Sequence, residues 1–354
     1  MSRARTFADL ATASEENSLA NRNMIINGNM AVHQRAATDT HNDSAVDRYT
    51  LVKNQLDQGD FTTKHQIITD NPPFSDALEI KCTTVEDAVA ADELIRIRMR
   101  LEANTLQKLQ YGSASAKTST LCFWVKSNLT DTFSVGLTTQ DGTSQNIGFT
   151  YTIAQANTWQ KVVWNIPANT NGTITNDTGN GMMLVWGLTV GSNFRGTANT
   201  TWANNADARN LNGHTANLAS STDNNFYLTG VQWELGDVSQ PFEHETFGDN
   251  LAKCQRYYQV FNDWNFRLNA NGTDNIYSYA FPLKGNMRTS PSVTSAIDPY
   301  SGSGEENVDN ISGFAVGHSG SSNNETSVAS FFIKTDSSGD QYVFTAQGKF
   351  DAEL

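Results

Sequence analysis

Residues 93–101 read ELIRIRMRL, and this stretch decides the fold class. Its side chains alternate, with Ile95, Ile97, Met99 and Leu101 on one face and Arg96, Arg98 and Arg100 on the other. A period of two is typical of a β-strand with one buried face, because a helix would scatter the arginines around its circumference. We expect the arginines to pair with acidic side chains on the surface, in ion pairs that contribute about 0–1 kcal/mol each.

Similar strand-like segments occur on both sides of this stretch. They cover residues 24–26, 48–52, 118–126, 133–138, 159–166, 182–190 and 225–234, and later 275–283, 292–297, 328–335 and 341–346. The sequence holds 37 Asn and 39 Thr, which favour turns and strands respectively. Many short strands separated by turn clusters predict an all-β fold, namely a jelly-roll β-sandwich followed by a short linking helix and a second, smaller β domain.

Changes in the sequence pattern predict four segments. These are an N-terminal peptide at 1–22, the jelly-roll domain at 23–245, a linking helix at 246–260 and a C-terminal β domain at 261–354. Within the last segment, the Gly- and Ser-rich residues 301–324 predict a long loop.

Two of these segments offer apolar side chains to a partner. Phe7 and Leu10 recur at helical spacing in the N-terminal peptide, which is too short to bury them alone. On the linking helix, Leu251, Tyr257 and Tyr258 form more apolar surface than a helix facing water tolerates. We expect all five at partner or oligomer contacts, with the linking helix at a subunit interface or between the domains.

The charge balance excludes some partner classes. With 24 Lys and Arg against 37 Asp and Glu the net charge is −13, which disfavours binding to nucleic acid and docking on anionic membranes. No apolar run reaches the roughly 18 residues of a membrane helix, and we expect neither membrane insertion nor a signal peptide. Cys82, Cys122 and Cys254 are expected to be buried thiols of a protein made in a reducing cytosol.

The sequence has none of the common catalytic or metal-binding motifs. It lacks a G-x-S-x-G elbow, an H-E-x-x-H pair and a phosphate-binding loop, and its 6 histidines are scattered singly. We therefore expect no enzyme and no cofactor, although two of the 37 carboxylates could form a glycosidase pair. A structural calcium ion bound near Asp43, Asp207 or Asp223 also stays open.

Aromatic and amide side chains in polar surroundings are the best candidates for ligand binding, since sugars pack on aromatic faces and bond to amides. The candidates are Trp202, Trp264, Tyr277, Tyr279, Asn265 and Asn271. A core role is the alternative for each aromatic residue, and Trp202 in particular is expected to pin a loop. Four other tryptophans, Trp124, Trp159, Trp164 and Trp186, are expected in the core.

Several segments together form a recognisable pattern. Residues 21–35 read NRNMIINGNMAVHQR, and residues 47–49 read DRY. The later segments are CFWVKS at 122–127, GVQWELG at 230–236, PFEH at 241–244, LAKCQRYY at 251–258, FPL at 281–283 and MRTSP at 287–291. Together they resemble bacteriophage tail-fibre proteins of the kind common in marine phages, whose start is RN-L-IINGAM-V-QR followed by DRW or DRY. Trp233 and Glu245 depart from the Leu and Arg that are usual there.

The resemblance implies a virion appendage. It implies that residues 1–22 attach to other phage tail proteins, that the jelly-roll is similar to a carbohydrate-binding module, and that the C-terminal part is the tip of a homotrimer. The expected function is adhesion to a host-surface glycan without catalysis, by a virion protein assembled in the host cytoplasm. Two alternatives stay open: a structural adaptor or decoration protein without a ligand, and a polysaccharide depolymerase.

Overall fold

The chain divides into two compact units, Met1–Phe247 and Gly248–Leu354. The computed structural model describes residues 21–35, 38–39, 45–55, 59–70, 73–196, 200–204, 210–269, 276–299, 314–317, 326–334 and 341–354. Phe7, Leu10, Asn271, Asp43 and Asp207 lie outside the described residues. In the described part of the chain, no helix is long and apolar enough to cross a bilayer.

The first unit is a jelly-roll sandwich of two antiparallel sheets. Its strands are β1 (Thr38–Asp39), β2 (Thr50–Asn54), β3 (Asp60–Ile67), β4 (Asp76–Thr84), β5 (Leu94–Glu102), β6 (Ser119–Ser127), β7 (Thr132–Thr139), β8 (Gln145–Thr152), β9 (Gln160–Ile166), β10 (Asn180–Val190), β11 (Ala203–Asn204) and β12 (Asn225–Leu235). Sheet A has the order β1-β3-β4-β12-β6-β9, and sheet B has the order β11-β8-β7-β10-β5-β2. Short 3-10 helices lie at Ala103–Leu109, Ser192–Phe194 and Leu218–Ser220. The predicted fold class is confirmed.

The core lies between the inner faces of the two sheets. On β5 the apolar positions are buried, and Ile97 pairs with Leu51 of β2 and Trp186 of β10. Trp186, Trp233 and Phe133 are among the largest fully buried side chains. Burial of one large apolar side chain stabilises the fold by about 1.5–3 kcal/mol, so the core is the main source of stability.

The strand predicted at residues 24–26 is wrong, because these residues lead into a turn held by asparagine. The Asn27 side chain donates to the carbonyls of Val32 and Asp47 and accepts from the backbone N–H of Val32. Asn27 also has a φ of 59°, which ends extended structure. Met24 and Ile25 are nevertheless buried in the core.

A buried polar network joins both ends of the first unit to β12. The Glu234 carboxylate accepts from Arg22 at 3.3 Å and from the backbone N–H of Gln240 at 2.8 Å. Gln232 donates to Glu234 and accepts from the backbone N–H of Glu243. We call these five residues the Glu234 network. It holds residue 22 and residues 240–243 against the same strand, β12.

The second unit consists of a helix and two small antiparallel sheets. Its elements are α1 (Phe247–Gln255), β13 (Tyr258–Asn269), β14 (Ile276–Met287), β15 (Ser292–Pro299), β16 (Phe314–Gly317), β17 (Thr326–Lys334) and β18 (Gln341–Asp351). One sheet has the order β13-β18-β15 and the other β14-β17-β16. Strand β16 lies within the stretch that was predicted as a long loop; the rest of 301–324 is outside the described residues.

The linking helix is shorter than predicted. It ends at Gln255, and Tyr258 is already the first residue of β13. Tyr257 and Tyr258 are 2% and 4% exposed, so they leave little apolar surface for contact with another subunit. Leu251 is half-buried, whereas Phe247 is 59% exposed.

Candidate functional site

The outer face of sheet A displays a row of aromatic and charged side chains. Glu79 on β4 pairs with Tyr227 on β12, and Tyr227 pairs with Lys126 on β6. Trp159 immediately precedes β9, whose first residue pairs with Val125. We call Glu79, Tyr227, Lys126 and Trp159, together with Asp70 from the β3–β4 loop, the aromatic row.

Short polar contacts fix these side chains. Asp70 accepts from the Lys126 ammonium at 2.7 Å and from the Trp159 indole N–H at 2.9 Å. Tyr227 donates its hydroxyl to Glu79 at 2.7 Å. The Lys126 Nζ lies 4.9 Å from the centre of the Trp159 ring and 4.7 Å from that of Tyr227, within the range of cation–π attraction.

The same contacts set the protonation states of the row. Burial alone would raise the pKa of Asp70, but the bonds from Lys126 and Trp159 outweigh it and lower the pKa below its usual value. Burial, and then the bond to Glu79, raise the pKa of Tyr227. At neutral pH Asp70 is therefore an ionised acceptor, and Tyr227 a neutral phenol.

One side of the row is bordered by packed aromatic rings. Phe74 and Phe242 meet edge to face at 4.9 Å, and Trp124 packs against the same cluster. Residues 240–243 then cover β12 through the Glu234 network. Trp159 and Tyr227 are half-buried, and the Asp70 side chain is 52% exposed, so the row itself remains accessible.

The arrangement suits a flat polar ligand with some apolar surface. Two aromatic rings supply contact area, and Asp70 and Glu79 supply acceptors at fixed positions. Because internal bonds already hold these side chains, little conformational entropy is lost when a ligand binds.

The sequence prediction missed this face because it assigned Trp124 and Trp159 to the core. That prediction is wrong for both, which are half-buried on the outer side, and right for Trp164 and Trp186. The alternation on β6 contained the signal: Phe123 and Val125 point inwards, so Trp124 and Lys126 must point outwards.

Trp202 lies elsewhere and has a packing role. Its indole N–H donates to the Pro167 carbonyl at 2.8 Å, and its ring meets Tyr111 edge to face at 5.6 Å. The contact with the core fits the expected pinning of a loop.

The other predicted ligand residues fall in the second unit. Trp264 and Asn265 are on β13 and pair with Ala346 and Thr345 of β18. Tyr277 and Tyr279 are on β14, in the other three-stranded sheet, and pair with residues of β17. The predicted candidates are therefore divided between two sheets.

Within the part of the chain that the structure describes, no three His, Cys, Asp or Glu side chains are grouped as metal ligands. Asp223 is exposed, and its backbone N–H donates to Ser221. Cys82, Cys122 and Cys254 are buried free thiols.

Solved structures with a related fold include phage and sugar-binding proteins. The chain is similar to the enzymatically active domain of bacteriophage CBA120 tailspike protein 4 (TM-score 0.32, 13% identity, 61% of this chain and 22% of that one). It is similar to a putative sugar-binding protein from Bacteroides thetaiotaomicron (TM-score 0.33, 11% identity, 60% of this chain and 100% of that one). A third is TmCBM61 in complex with β-1,4-galactotriose (TM-score 0.28, 7% identity, 62% of this chain and 100% of that one).

These likenesses are too distant to indicate a ligand or an activity. The alignment spans about a fifth of the tailspike domain's length, 22%. No protein-family model matches the chain. No curated protein matches it either.

Proposed function

We propose that this chain is a bacteriophage tail-fibre or other virion appendage protein that adheres to a host-surface glycan through the aromatic row, without catalysis. The observation that carries the proposal is the pair of accessible rings, Trp159 and Tyr227, fixed beside two carboxylates on an open sheet face. The tail-fibre motifs of the sequence support the virion role. A homotrimer would repeat the row three times and raise the affinity by avidity.

The contacts of Asp70 suit a role in binding. Asp70 has a lowered pKa and accepts from two donors, so its carboxylate is suited to accepting hydrogen bonds from sugar hydroxyls.

The test compares Trp159→Ala with Trp264→Ala in glycan-array binding and in adsorption to host cells. Trp159→Ala should weaken binding about tenfold or more, because an aromatic anchor commonly contributes about 2 kcal/mol. The variant should still fold, with a moderate fall in melting temperature, because the ring is half-buried against the Phe74 cluster. Trp264→Ala serves as the matched control and should bind like wild type.

Other results would favour other functions. Loss of binding in Trp264→Ala alone would place the ligand in the second unit. Release of reducing ends from host polysaccharide would indicate a depolymerase. A silent glycan array, together with normal incorporation into particles, would indicate a structural adaptor.

A further inference from the structure

A stripe of three arginines lies on the outer face of sheet B, the sheet opposite the aromatic row. Arg96 sits between Val52 of β2 and Gly187 of β10, and Arg98 sits between Thr50 and Val185. Arg100 follows on the same face, and all three side chains are half-buried. This concentration of positive charge contrasts with a chain whose net charge is −13.

Arg96 lacks the acidic partner that was expected for it. Among the described residues no carboxylate lies within ion-pair distance of Arg96, and its Nε is buried without a hydrogen-bond partner. Glu102 follows Arg100 on the same strand, but it is six residues from Arg96, about 20 Å along an extended chain. Arg98 and Arg100 have interactions of their own.

A half-buried guanidinium without a counterion is unfavourable, since arginine cannot release its proton. Burial, and then the charge of Arg100, lower the pKa of Arg96. An oxyanion placed beside Arg96 would supply the missing counterion and offset the repulsion by Arg100. It could accept two parallel hydrogen bonds from the guanidinium.

The described part of the covering loop reaches the neighbourhood of Arg96, because a Cβ at Gly187, its cross-strand neighbour, would lie 3.1 Å from His214 Nδ1. Asn210 lies over Gly136 on β7, and His214 contacts Ser134 on β7 at 3.0 Å. Leu211 packs on Val185 of β10. Residues 210–214 thus border the arginine stripe on one side.

We propose that Arg96, with Arg98 and Arg100 beside it, binds a carboxylate or sulfate group of an acidic polysaccharide. The site is separate from the aromatic row and does not depend on it. Because the whole chain is negative, a polyanion would be repelled elsewhere, so binding requires a local positive site.

The experiment measures the affinity of the full chain for polygalacturonate, dextran sulfate and neutral dextran at low and at physiological salt. The wild type should bind at least one of the two polyanions, more weakly as salt rises, and should not bind neutral dextran. The carboxylated and sulfated probes distinguish the two sources of the oxyanion.

Two variants with the same change of charge test the residue. Arg96→Gln should lose about tenfold to a hundredfold in affinity, the effect of one charge-assisted contact. Lys349→Gln, an exposed position on β18 of the second unit, should bind as wild type does. Trp159→Ala should also retain polyanion binding, which separates this proposal from the glycan site on the aromatic row.

If Arg96→Gln does not fold, Arg96→Lys is used to test whether residue 96 binds the polyanion. Lysine keeps the charge but cannot form the bidentate contact, so its affinity should fall by a smaller factor. Absence of polyanion binding by the wild type would overturn the proposal. Equal affinities of Arg96→Gln and Lys349→Gln, or of Arg96→Lys and wild type, would overturn it as well.

Discussion

At the residue scale, His214 shows how a motif-like pair can be purely structural. Ser134 Oγ lies 3.0 Å from His214 Nδ1, and His214 Nε2 lies 2.9 Å from the Ala216 carbonyl. The carbonyl requires a proton on Nε2, so Nδ1 accepts the serine hydroxyl. Both residues are almost fully buried, and a substrate has no access to them. With a neutral His214 imidazole, the pair fixes the loop that lies over sheet B.

This arrangement predicts a pH-dependent loss of stability. Burial lowers the pKa of His214 from 6.5 to about 4. Between these values the unfolded chain binds a proton that the folded chain does not, so stability is complete above pH 6.5 and falls as the pH drops towards 4. The full loss is about 3 kcal/mol. Urea unfolding of wild type and His214→Gln at pH 7, 5.5 and 4.5 measures it.

In that experiment the variant should be less stable at pH 7 and less sensitive to acid. His244→Gln, which removes an exposed imidazole outside this pair, is the control for the loss of a histidine. Equal slopes for wild type and His214→Gln would contradict the assignment.

At the element scale, β12 depends on a glycine where aromatic rings cross it. Gly230 has a φ of 60°, and a Cβ there would lie 2.5 Å from the Phe74 ring and 2.8 Å from Trp124. Gly236 also has a positive φ, 94°, but nothing lies within 4 Å of its Cβ position. The two positions therefore share backbone strain and differ in crowding.

Alanine substitutions at these two glycines should separate the two effects. Gly236→Ala should cost about 1–2 kcal/mol, the cost of a left-handed residue. Gly230→Ala should cost a further 1–3 kcal/mol or so, because Phe74 and Trp124 must move. Chemical denaturation of both variants measures the difference, and equal losses would show that the rings shift freely. A loss of glycan binding in Gly230→Ala alone would further indicate that the bordering rings support the aromatic row.

Tyr258 begins a strand and is buried, which changes the expected effect of substituting it. An aspartate at this buried position would place a carboxylate in an apolar site, which costs several kcal/mol. Tyr258→Asp should therefore unfold the second unit, seen as the loss of one calorimetric transition, rather than release intact protomers. Phe247→Asp, at an exposed position of α1, should leave both transitions in place. Dissociation of folded protomers in Tyr258→Asp would restore the interface interpretation.

The elements differ in how well the sequence predicted them. Strands with one apolar face, such as β5 and β10, were predicted to within about two residues, because alternation reports burial directly. Strands β3, β4 and β8 were missed, since Lys, His and Thr interrupt their apolar positions. The aromatic row was missed partly because Trp159 was assigned to the core, and partly because Glu79, Tyr227 and Lys126 meet only through pairing of three strands that are distant in sequence.

At the scale of the whole molecule, the segments that resemble tail-fibre proteins coincide with structural contacts. Asn23 accepts from the backbone N–H of Trp233 and donates to the Val231 carbonyl. Gly28 faces the same carbonyl so closely that a side chain could not fit. Residues of the segments 21–35, 230–236 and 241–244 thus contact one another. The resemblance therefore concerns residues that stabilise the fold, and it does not identify a ligand.

A pair of truncations tests where the folded unit begins. Deletion of residues 1–20 should leave the melting temperature near wild type, because that peptide has few apolar residues for the core. Deletion of residues 1–25 also removes Met24 and Ile25 from the core, together with Arg22 and Asn23. Two buried side chains at about 1.5–3 kcal/mol each, and the lost hydrogen bonds, amount to about 5 kcal/mol. In a unit of this size, that should lower the melting temperature by about 10 °C.

The shorter deletion also tests the virion role. Chains that lack residues 1–20 should fold and bind glycan but should not be incorporated into phage particles, if that peptide attaches to other tail proteins. Scanning calorimetry and quantification of the chain in purified particles measure the two effects on the same material. A large fall in melting temperature after the shorter deletion would mean that the peptide packs on the sandwich. Normal incorporation of the same variant would place the attachment surface elsewhere, and the exposed side of α1 around Phe247 would be the next region to test.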